Sequence, residues 1–211
     1  MTAYVARAAG RWEEALGYAR KAQALDPRSV YAAWTLAQTL LVLRRYDEAQ
    51  VPLDLARTLA PKDLGVLHTR VMLELARGDL SAARRVLAAS TQGIDPAALV
   101  AFFALAMDLG WVLDDSQQRL VLTLSPEPFG GDLSSWAASL MHVHALRGEN
   151  ALARAYADSA RPAIDAALKA NPTFGDLHVF RTVVLAYLGD ARQAEQEGKR
   201  AIALAPIARQ A

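Results

Sequence analysis

The stretch that decides the fold is GRWEEALGYARKAQALDP, residues Gly10 to Pro27. Its skeleton returns as RRYDEAQVPLDLARTLAP, residues Arg44 to Pro61, with the same two alanine places and the same closing proline. The two closing prolines lie 34 residues apart, and Pro172 and Pro206 near the other end of the chain repeat that separation. A self-similarity of this length is typical of an array of structural repeats.

Each repeat is predicted to be a pair of helices. In the first stretch, apolar residues recur at Trp12, Leu16 and Ala19, which follows the helix period and not the strand period of two. Asp26-Pro27 ends this helix, because the residue before a proline disfavours the helical conformation. The preceding residues 3–9, AYVARAA, predict a short first helix. We therefore expect the first hairpin to be incomplete and the chain to belong to a longer polypeptide.

The same pattern continues along the chain for about six hairpins. In the second hairpin it predicts helices from about Val30 to Leu43 and from about Tyr46 to Leu59. The fourth hairpin diverges, with an apolar first helix from about Ala97 to Leu109 and a second helix that Asp114 or Asp115 caps and that runs to Leu124. In the fifth hairpin the second helix is unusually long, from about Asn150 to Ala170.

A loop, SPEPFGGD, interrupts the pattern at residues 125–132. We therefore predict an N-terminal sub-array over residues 1–126, a loop over 127–132 and a C-terminal sub-array over 133–211. The fold class predicted for the whole chain is an all-α, right-handed α-solenoid of antiparallel helix hairpins.

Composition excludes several functional classes. Lysine and arginine number 23 against 22 acidic residues, so the net charge of +1 argues against a nucleic-acid-binding protein. The chain has no cysteine, which excludes disulfides and thiolate metal sites. Its longest apolar runs are too short to cross a bilayer, so we expect no membrane insertion. The expected location is cytoplasmic, with the extracytoplasmic part of a membrane-anchored regulator as the alternative.

The repeat resembles the tetratricopeptide repeat. Each hairpin has a turn-forming residue at its bend, a bulky residue two places later, an alanine three after that, and a second small residue before the proline. In that family small residues let the helices approach closely. The resemblance covers essentially the whole chain, with the fourth repeat matching least, and it specifies the fold far better than the function.

Three runs carry a narrower resemblance: VLDDSQQRLVLTLSPEPF at 112–129, LRGENALARAYADSARPAIDAAL at 146–168 and LAYLGDARQAEQEGKRAIALAPIAR at 185–209. They look like the C-terminal tetratricopeptide region of bacterial multidomain regulators, in which the repeats follow a serine/threonine kinase domain or a winged-helix DNA-binding domain. No kinase or recognition-helix motif lies in this chain, so those activities are not carried over.

In the family that the chain resembles, the first helix of each hairpin lines a concave face. This implies a groove for an apolar peptide or helix, with Tyr31 and Trp34 as its anchors. The alternative is that these side chains pack on neighbouring hairpins. The predicted groove residues are Tyr31, Trp34, Gln38, Leu41, His68, Thr69, Met72 and His142. The Lys, Asn and Arg of the family's carboxylate clamp are missing from the matching places, which argues against that specialised role.

A metal site could be sought at His142 and His144, with Asp108, Asp114 and Asp115 as further ligands. Two residues that are two apart on a helix point in different directions, so the histidine pair cannot chelate from one face. We predict that His144 is packed and that His142 lines the groove. No phosphate-binding loop or catalytic triad is visible. We expect neither a cofactor nor a metal.

The sequence thus predicts a non-catalytic protein-interaction module. Its partner is a protein or peptide, including an effector domain of the same polypeptide, and the sequence does not fix the oligomeric state. One hypothesis is the sensor or scaffold region of a bacterial signalling or transcription regulator. The other is a free-standing adaptor for the assembly of an envelope or enzyme complex. We expect the function to lie one hairpin after Gly10–Pro27, on the face that bears Tyr31 and Trp34.

Overall fold

The computed structural model describes residues 2–90, 93–105 and 109–204. Within these ranges it contains twelve α-helices and no strand, which confirms the predicted all-α class of helix hairpins. Two short 3-10 helices lie at Gly110–Val112 and Glu127–Phe129. The α-helices are α1 (Ala3–Ala8), α2 (Trp12–Leu25), α3 (Val30–Val42), α4 (Tyr46–Leu59), α5 (Leu64–Ala76), α6 (Leu80–Ala89), α7 (Pro96–Leu105), α8 (Asp115–Thr123), α9 (Leu133–Leu146), α10 (Asn150–Ala170), α11 (Gly175–Leu188) and α12 (Ala191–Leu204).

Side chains that accept hydrogen bonds from free backbone amides fix the starts of several helices. Ser29 caps α3 by accepting from the amide of Ala32, and Asp63 caps α5 in the same way. Asp114 begins α8 with a capping box, in which Gln117 bonds back to the amide of Asp114. The predicted cap and extent of this helix are therefore confirmed.

The bend inside most hairpins contains one residue in the left-handed conformation. Gly78, Gly148 and Gly189 have φ of 81°, 74° and 84°, values that glycine adopts without steric cost. In the second hairpin the corresponding residue is Arg44, with φ of 57°. A non-glycine residue in this conformation stores strain at that bend.

The first compact unit ends at Ile94 and contains α1 to α6. Its helices pack in sequence order, each against the next along the chain from α1 to α6. The core of the unit is built largely from small residues, which let helices approach closely. Ala33, Ala37 and Ala56 are fully buried there together with Leu53 and Val66.

The second compact unit begins at Asp95 and contains α7 to α12. Met141, Ala157, Ile164 and Val184 lie in its core, and Trp136 packs against them. The loop at 127–132 lies inside this unit, whereas the two compact units divide between residues 94 and 95. The loop that is predicted to separate the sub-arrays therefore lies at a different position in the chain from the division between the compact units.

The fourth hairpin differs from its predicted form. Helix α7 is described from Pro96 to Leu105, and residues 106–108 of the predicted helix lie outside the described residues. Leu109 has φ of −124°, which is not helical, and a 3-10 helix follows at Gly110–Val112. In the described part of the chain no helix is both long and apolar enough to cross a membrane.

Candidate functional site

The predicted groove residues lie mostly on α3 and α5 of the first unit, away from the cavity of about 560 Å³ beside α10 in the second unit. In the first unit, a cavity of about 450 Å³ lies between α1 and α3, and we call it the aromatic cavity. Four of its lining residues are aromatic. It is lined by Tyr4, Arg7, Ala8, Trp12, Tyr31, Trp34, Thr35 and Gln38.

Two tyrosines at the aromatic cavity are largely exposed to solvent. Tyr4 on α1 is 72% exposed and Tyr31 on α3 is 66% exposed. Large apolar side chains are usually covered in a folded domain, and tyrosine is enriched where proteins contact one another. The cavity therefore presents an aromatic surface with polar tips, which suits a protein or peptide ligand.

Arg7 supplies the positive charge of the aromatic cavity. Its guanidinium donates a hydrogen bond to Oε1 of Gln38 over 3.1 Å and lies 5.7 Å from the ring centre of Trp12. Partial burial lowers the pKa of Arg7 below its usual value, since desolvation disfavours the charged form. Among the described residues, no carboxylate lies within ion-pairing distance of Arg7. By contrast, Arg70 pairs with Glu74 over 2.9 Å.

Trp34 joins α3 to α5. Its indole nitrogen donates to Oγ1 of Thr69 over 2.7 Å, and the Thr69 hydroxyl donates in turn to the carbonyl of Gly65 over 3.0 Å. A Cβ atom on Gly65 would lie only 3.1 Å from Cζ2 of Trp34, so the absence of a side chain at Gly65 lets the ring approach. Trp34 thus packs between hairpins, while part of its surface lines the aromatic cavity.

The other predicted groove residues of the first unit are less accessible. Gln38 is half-buried and is held by Arg7, and Thr69 is buried beneath Trp34. Leu41 is half-buried against the core of the unit, and His68 and Met72 are half-buried on α5. The structure brings Tyr31, Trp34 and Gln38 together in one cavity, and it adds Tyr4 and Arg7 from α1.

Sequence reasoning missed Tyr4 and Arg7. The sequence predicts α1 to be the incomplete end of the array and gives no reason to place its side chains in the groove. The available signal was the helical periodicity of residues 3–9, which places Tyr4, Arg7 and Ala8 on one face.

His142 lies in the second unit, on α9. It is half-buried, its Nε2 atom has no hydrogen-bond partner among the described residues, and a Cβ on Gly110 would lie 2.9 Å from its Cδ2. Burial lowers the pKa of His142, because the neutral imidazole is favoured away from water. Its ring lies against Gly110 at the start of the 3-10 helix Gly110–Val112.

His144 is separate from His142 and is packed, as predicted. It is 7% exposed, its Nδ1 lies 2.6 Å from Oε2 of Glu149, and its ring stacks on Tyr156 with centroids 5.3 Å apart. The carboxylates considered as metal ligands are engaged elsewhere.

Asp114 caps α8, and Asp115 pairs with Arg119 and Arg147, each over 2.7 Å. Asp108 lies outside the described residues. Across the ranges that the structure describes, no three His, Cys, Asp or Glu residues are grouped so as to hold a metal ion.

His178 belongs to a buried polar network that the sequence did not reveal. Its Nδ1 lies 2.5 Å from Oε2 of Glu197, and its Nε2 lies 3.0 Å from the carbonyl of Pro172. Arg181 pairs with Asp165 and with Glu197, each over 2.9 Å. The network joins α10, α11 and α12 within the second unit, although Asp165 Oδ1 and Arg181 Nε, which lie 2.9 Å apart, do not have the geometry of a hydrogen bond.

One family model matches part of the chain. The family model described as tetratricopeptide repeat matches residues 6–69. No curated protein matches the sequence.

Among solved structures, the human IFIT1 dimer with PPP-AAAA shares 13% identity with a TM-score of 0.59, over 95% of this chain and 47% of its own. A tetratricopeptide repeat protein from Parabacteroides merdae shares 12% identity with a TM-score of 0.52, over 95% of this chain and 76% of its own. The APC/C hetero-tetramer Cut9-Hcn1 shares 16% identity with a TM-score of 0.51, over 97% of this chain and 40% of the other. The chain thus spans about half the length of IFIT1, and these likenesses concern the fold alone.

Proposed function

We propose that this chain, which matches the tetratricopeptide repeat family over residues 6–69, is a non-catalytic module that binds a protein or peptide through the aromatic cavity between α1 and α3. The observation that carries the proposal is the pair of open tyrosines, Tyr4 and Tyr31, beside that cavity. Rigid aromatic side chains contribute large contact areas at a small entropic cost, and they are enriched among the residues that dominate binding energies.

The positive charge of Arg7 in the aromatic cavity indicates that the ligand carries an acidic group. The guanidinium of Arg7 is partly desolvated without a carboxylate partner among the described residues. A ligand carboxylate at this point would form a charge-assisted hydrogen bond in a partly dry environment, where such bonds are strongest. The proposed ligand therefore presents an apolar side chain to Tyr4 and Tyr31 and an acidic side chain to Arg7.

In the cell, we propose that the chain is the sensor or scaffold region of a bacterial signalling or transcription regulator. The support is the resemblance of residues 112–129, 146–168 and 185–209 to the repeat regions of such regulators. The alternative is a free-standing adaptor for the assembly of an envelope or enzyme complex. An in-frame kinase or winged-helix domain in the full reading frame would favour the regulator, and its absence from the full reading frame would favour the adaptor.

Site-specific photocrosslinking tests the binding site. A benzoylphenylalanine in place of Tyr31 is compared with one in place of Val51, which is 74% exposed on α4 and lies outside the aromatic cavity. We expect a discrete protein adduct from position 31 and none from position 51. Adducts of the same proteins in equal yield from both positions would contradict the proposal.

The partner identified in this way is then titrated against variants of the cavity. Tyr31→Ala and Arg7→Gln should each weaken binding at least tenfold, which is about 1.4 kcal/mol. Val51→Ala should leave the affinity unchanged. Turnover of a substrate by the purified protein would overturn the non-catalytic part of the proposal.

A further inference from the structure

A cavity of about 320 Å³ in the second unit is lined by several basic side chains, and we call it the basic cavity. It lies between the last two turns of α10, the first half of α11 and the second half of α12. Lys169 on α10 and Arg200 on α12 line it, together with Leu168 and Pro172. We propose that the basic cavity binds a phosphate monoester that has a small apolar body. This site is distinct from the aromatic cavity, which lies in the first unit.

Two exposed cations at the basic cavity, Lys169 and Arg200, have no ion-pair partner in the part of the chain that the structure describes. Their neighbour Lys199, by contrast, pairs with Glu195 over 2.6 Å. Charges of one sign that flank the same concave surface add their potentials and attract an ion of the opposite sign. Lys169 and Arg200 therefore leave the cavity with two uncompensated positive charges.

The carboxylates of the buried network beside the cavity are already engaged. Asp165 lines the cavity and lies 2.9 Å from Nε of Arg181. Glu197 accepts a hydrogen bond from Arg181 over 2.9 Å and lies 2.5 Å from Nδ1 of His178, a residue that is 3% exposed. These contacts join the three helices that form the walls, so the network positions the walls and leaves the two exposed cations uncompensated.

A corresponding cavity recurs in the first unit. The shift along the chain that places Pro172 on Pro61 also places the ion pair Asp165–Arg181 on the ion pair Asp54–Arg70. A cavity of about 300 Å³ lies at that place, between the ends of α4 and α6 and the start of α5. The basic cavity is thus a regular feature of the repeat, formed by the packing of three successive helices.

Two slots of this recurring cavity become basic in the second unit. Thr58 of the first cavity corresponds to Lys169, and Ala89 corresponds to Arg200. Because the fold forms the cavity with neutral residues in these slots, packing does not require the two cations. Their charge is therefore available to determine what the cavity binds.

The charge and the shape of the basic cavity define the ligand. Two cations on different helices suit an anion that carries close to two negative charges, as a phosphate monoester does at neutral pH. The guanidinium of Arg200 offers a fork of donors for two phosphate oxygens, and the ammonium of Lys169 acts as a point charge. Leu168 and Pro172 provide apolar surface beside these groups. The volume of about 320 Å³ is small for a ligand cavity, so the apolar body must be small as well.

Isothermal titration calorimetry of the full chain with phenyl phosphate, at about pH 7.5, tests the site. We expect saturable binding of one molecule per chain. Lys169→Thr and Arg200→Ala copy the residues of the first cavity, and each should weaken binding at least tenfold. Both replace exposed side chains, so their circular dichroism spectra should match that of the parent. Arg192→Ala removes the same charge from an exposed position of α12 outside the cavity and should leave the affinity unchanged.

Benzoate separates the charge of the ligand from its ring. It carries the same ring with one negative charge, so it should bind at least tenfold more weakly than phenyl phosphate. Equal binding of the two anions would overturn the proposal, as would the absence of phenyl phosphate binding at millimolar concentrations. An equal loss of affinity in Arg192→Ala and Arg200→Ala would also overturn it, because binding would then follow net charge alone.

The aromatic cavity is the competing location, since it also contains an arginine and aromatic rings. Arg7→Gln should leave the binding of phenyl phosphate unchanged. A loss of binding in Arg7→Gln but not in Arg200→Ala would place the ligand in the aromatic cavity and overturn the proposal. Failure of Tyr31→Ala to weaken the crosslinked partner, with phenyl phosphate binding that depends on Arg200, would remove the proposed function and leave the basic cavity in place.

A phosphotyrosine peptide distinguishes the two sources of such an ester. It presents the phenyl phosphate group on a peptide chain, here with alanines on both sides. Tighter binding of the peptide than of phenyl phosphate would identify the ligand as a phosphorylated protein side chain. Equal or weaker binding of the peptide would identify it as a small phosphorylated molecule.

Discussion

Replacement of Trp34 by alanine should destabilise the first compact unit by about 3 kcal/mol, because it removes packing between two helix hairpins. The side chain is half-buried between α3 and α5, where it contacts Gly65 and donates a 2.7 Å hydrogen bond to the buried hydroxyl of Thr69. Removing it opens a space between two hairpins and leaves that hydroxyl without its donor.

The magnitude follows from two contributions. Truncating a fully buried tryptophan costs about 3–5 kcal/mol, so a half-buried one costs roughly 2 kcal/mol. Loss of the hydrogen bond adds about 1 kcal/mol. Trp34→Phe retains most of the contact with Gly65 and should cost only about 1 kcal/mol. Tyr31→Ala, at a position that is 66% exposed, should stay within about 0.5 kcal/mol of the parent.

Amide hydrogen exchange measures the loss locally. Where exchange requires opening of the unit, 3 kcal/mol corresponds to an acceleration of about a hundredfold in α3 and α5. Peptides from α11, in the second compact unit, should exchange at the parental rate. An acceleration below threefold in α3 and α5 would refute the reasoning and show that Trp34 is free to serve a ligand. An equal acceleration in α11 would refute the local character of the effect.

Three further predictions concern the bends and the titrating groups. Arg44 has φ of 57°, so Arg44→Gly should stabilise the first unit by about 0.5–1 kcal/mol. Gly189 has φ of 84°, so Gly189→Ala should destabilise the second unit by about 1 kcal/mol or more. The urea midpoint of unfolding measures both changes. Asp132→Ala removes the cap of α9 and should cost about 1 kcal/mol at pH 7. Hydrogen bonds from the hydroxyls and amides of Ser135 and Ser134 lower the pKa of Asp132. This stabilisation is therefore present above the unfolded pKa and is lost as the pH falls through the folded pKa, so the stabilities of parent and variant should approach each other as the pH falls below about 3.9. Burial lowers the pKa of His142. As the pH falls below about 6.5, the unfolded chain therefore takes up a proton at this residue before the folded chain does, which destabilises the fold. The urea midpoint should drop more between pH 7.5 and 5 in the parent than in His142→Gln.

Most helix bounds could be predicted because their determinants are local. Tyr46–Leu59 and Asn150–Ala170 coincide with the helices found. A turn residue precedes each of them, and an alanine slot recurs within each. The non-helical conformation of Leu109 could not be predicted, because the sequence carries no stop signal before Gly110.

The sequence predicts which helix carries the candidate site, but not the contacts that its side chains make. The slots of the repeat identified Tyr31 and Trp34 as neighbours on α3. They could not show that Trp34 bonds to Thr69, 35 residues away, because that contact depends on the packing of a different hairpin. The repeat slots also could not identify Arg7, because its significance depends on the absence of a carboxylate beside it among the described residues. Such an environment can be read only from coordinates.

The comparison of Ala22 with Ala56 shows why function in a repeat array is hard to read from the repeat itself. The two alanines occupy the same slot, and a sequence pattern gives them the same role in close packing. Yet Ala56 is fully buried and Ala22 is exposed. The burial of a slot depends on which helices pack beside it, and the residue in the slot is the same alanine in both hairpins. The repeat pattern therefore predicts the helices and their small residues, but not which of those residues are covered.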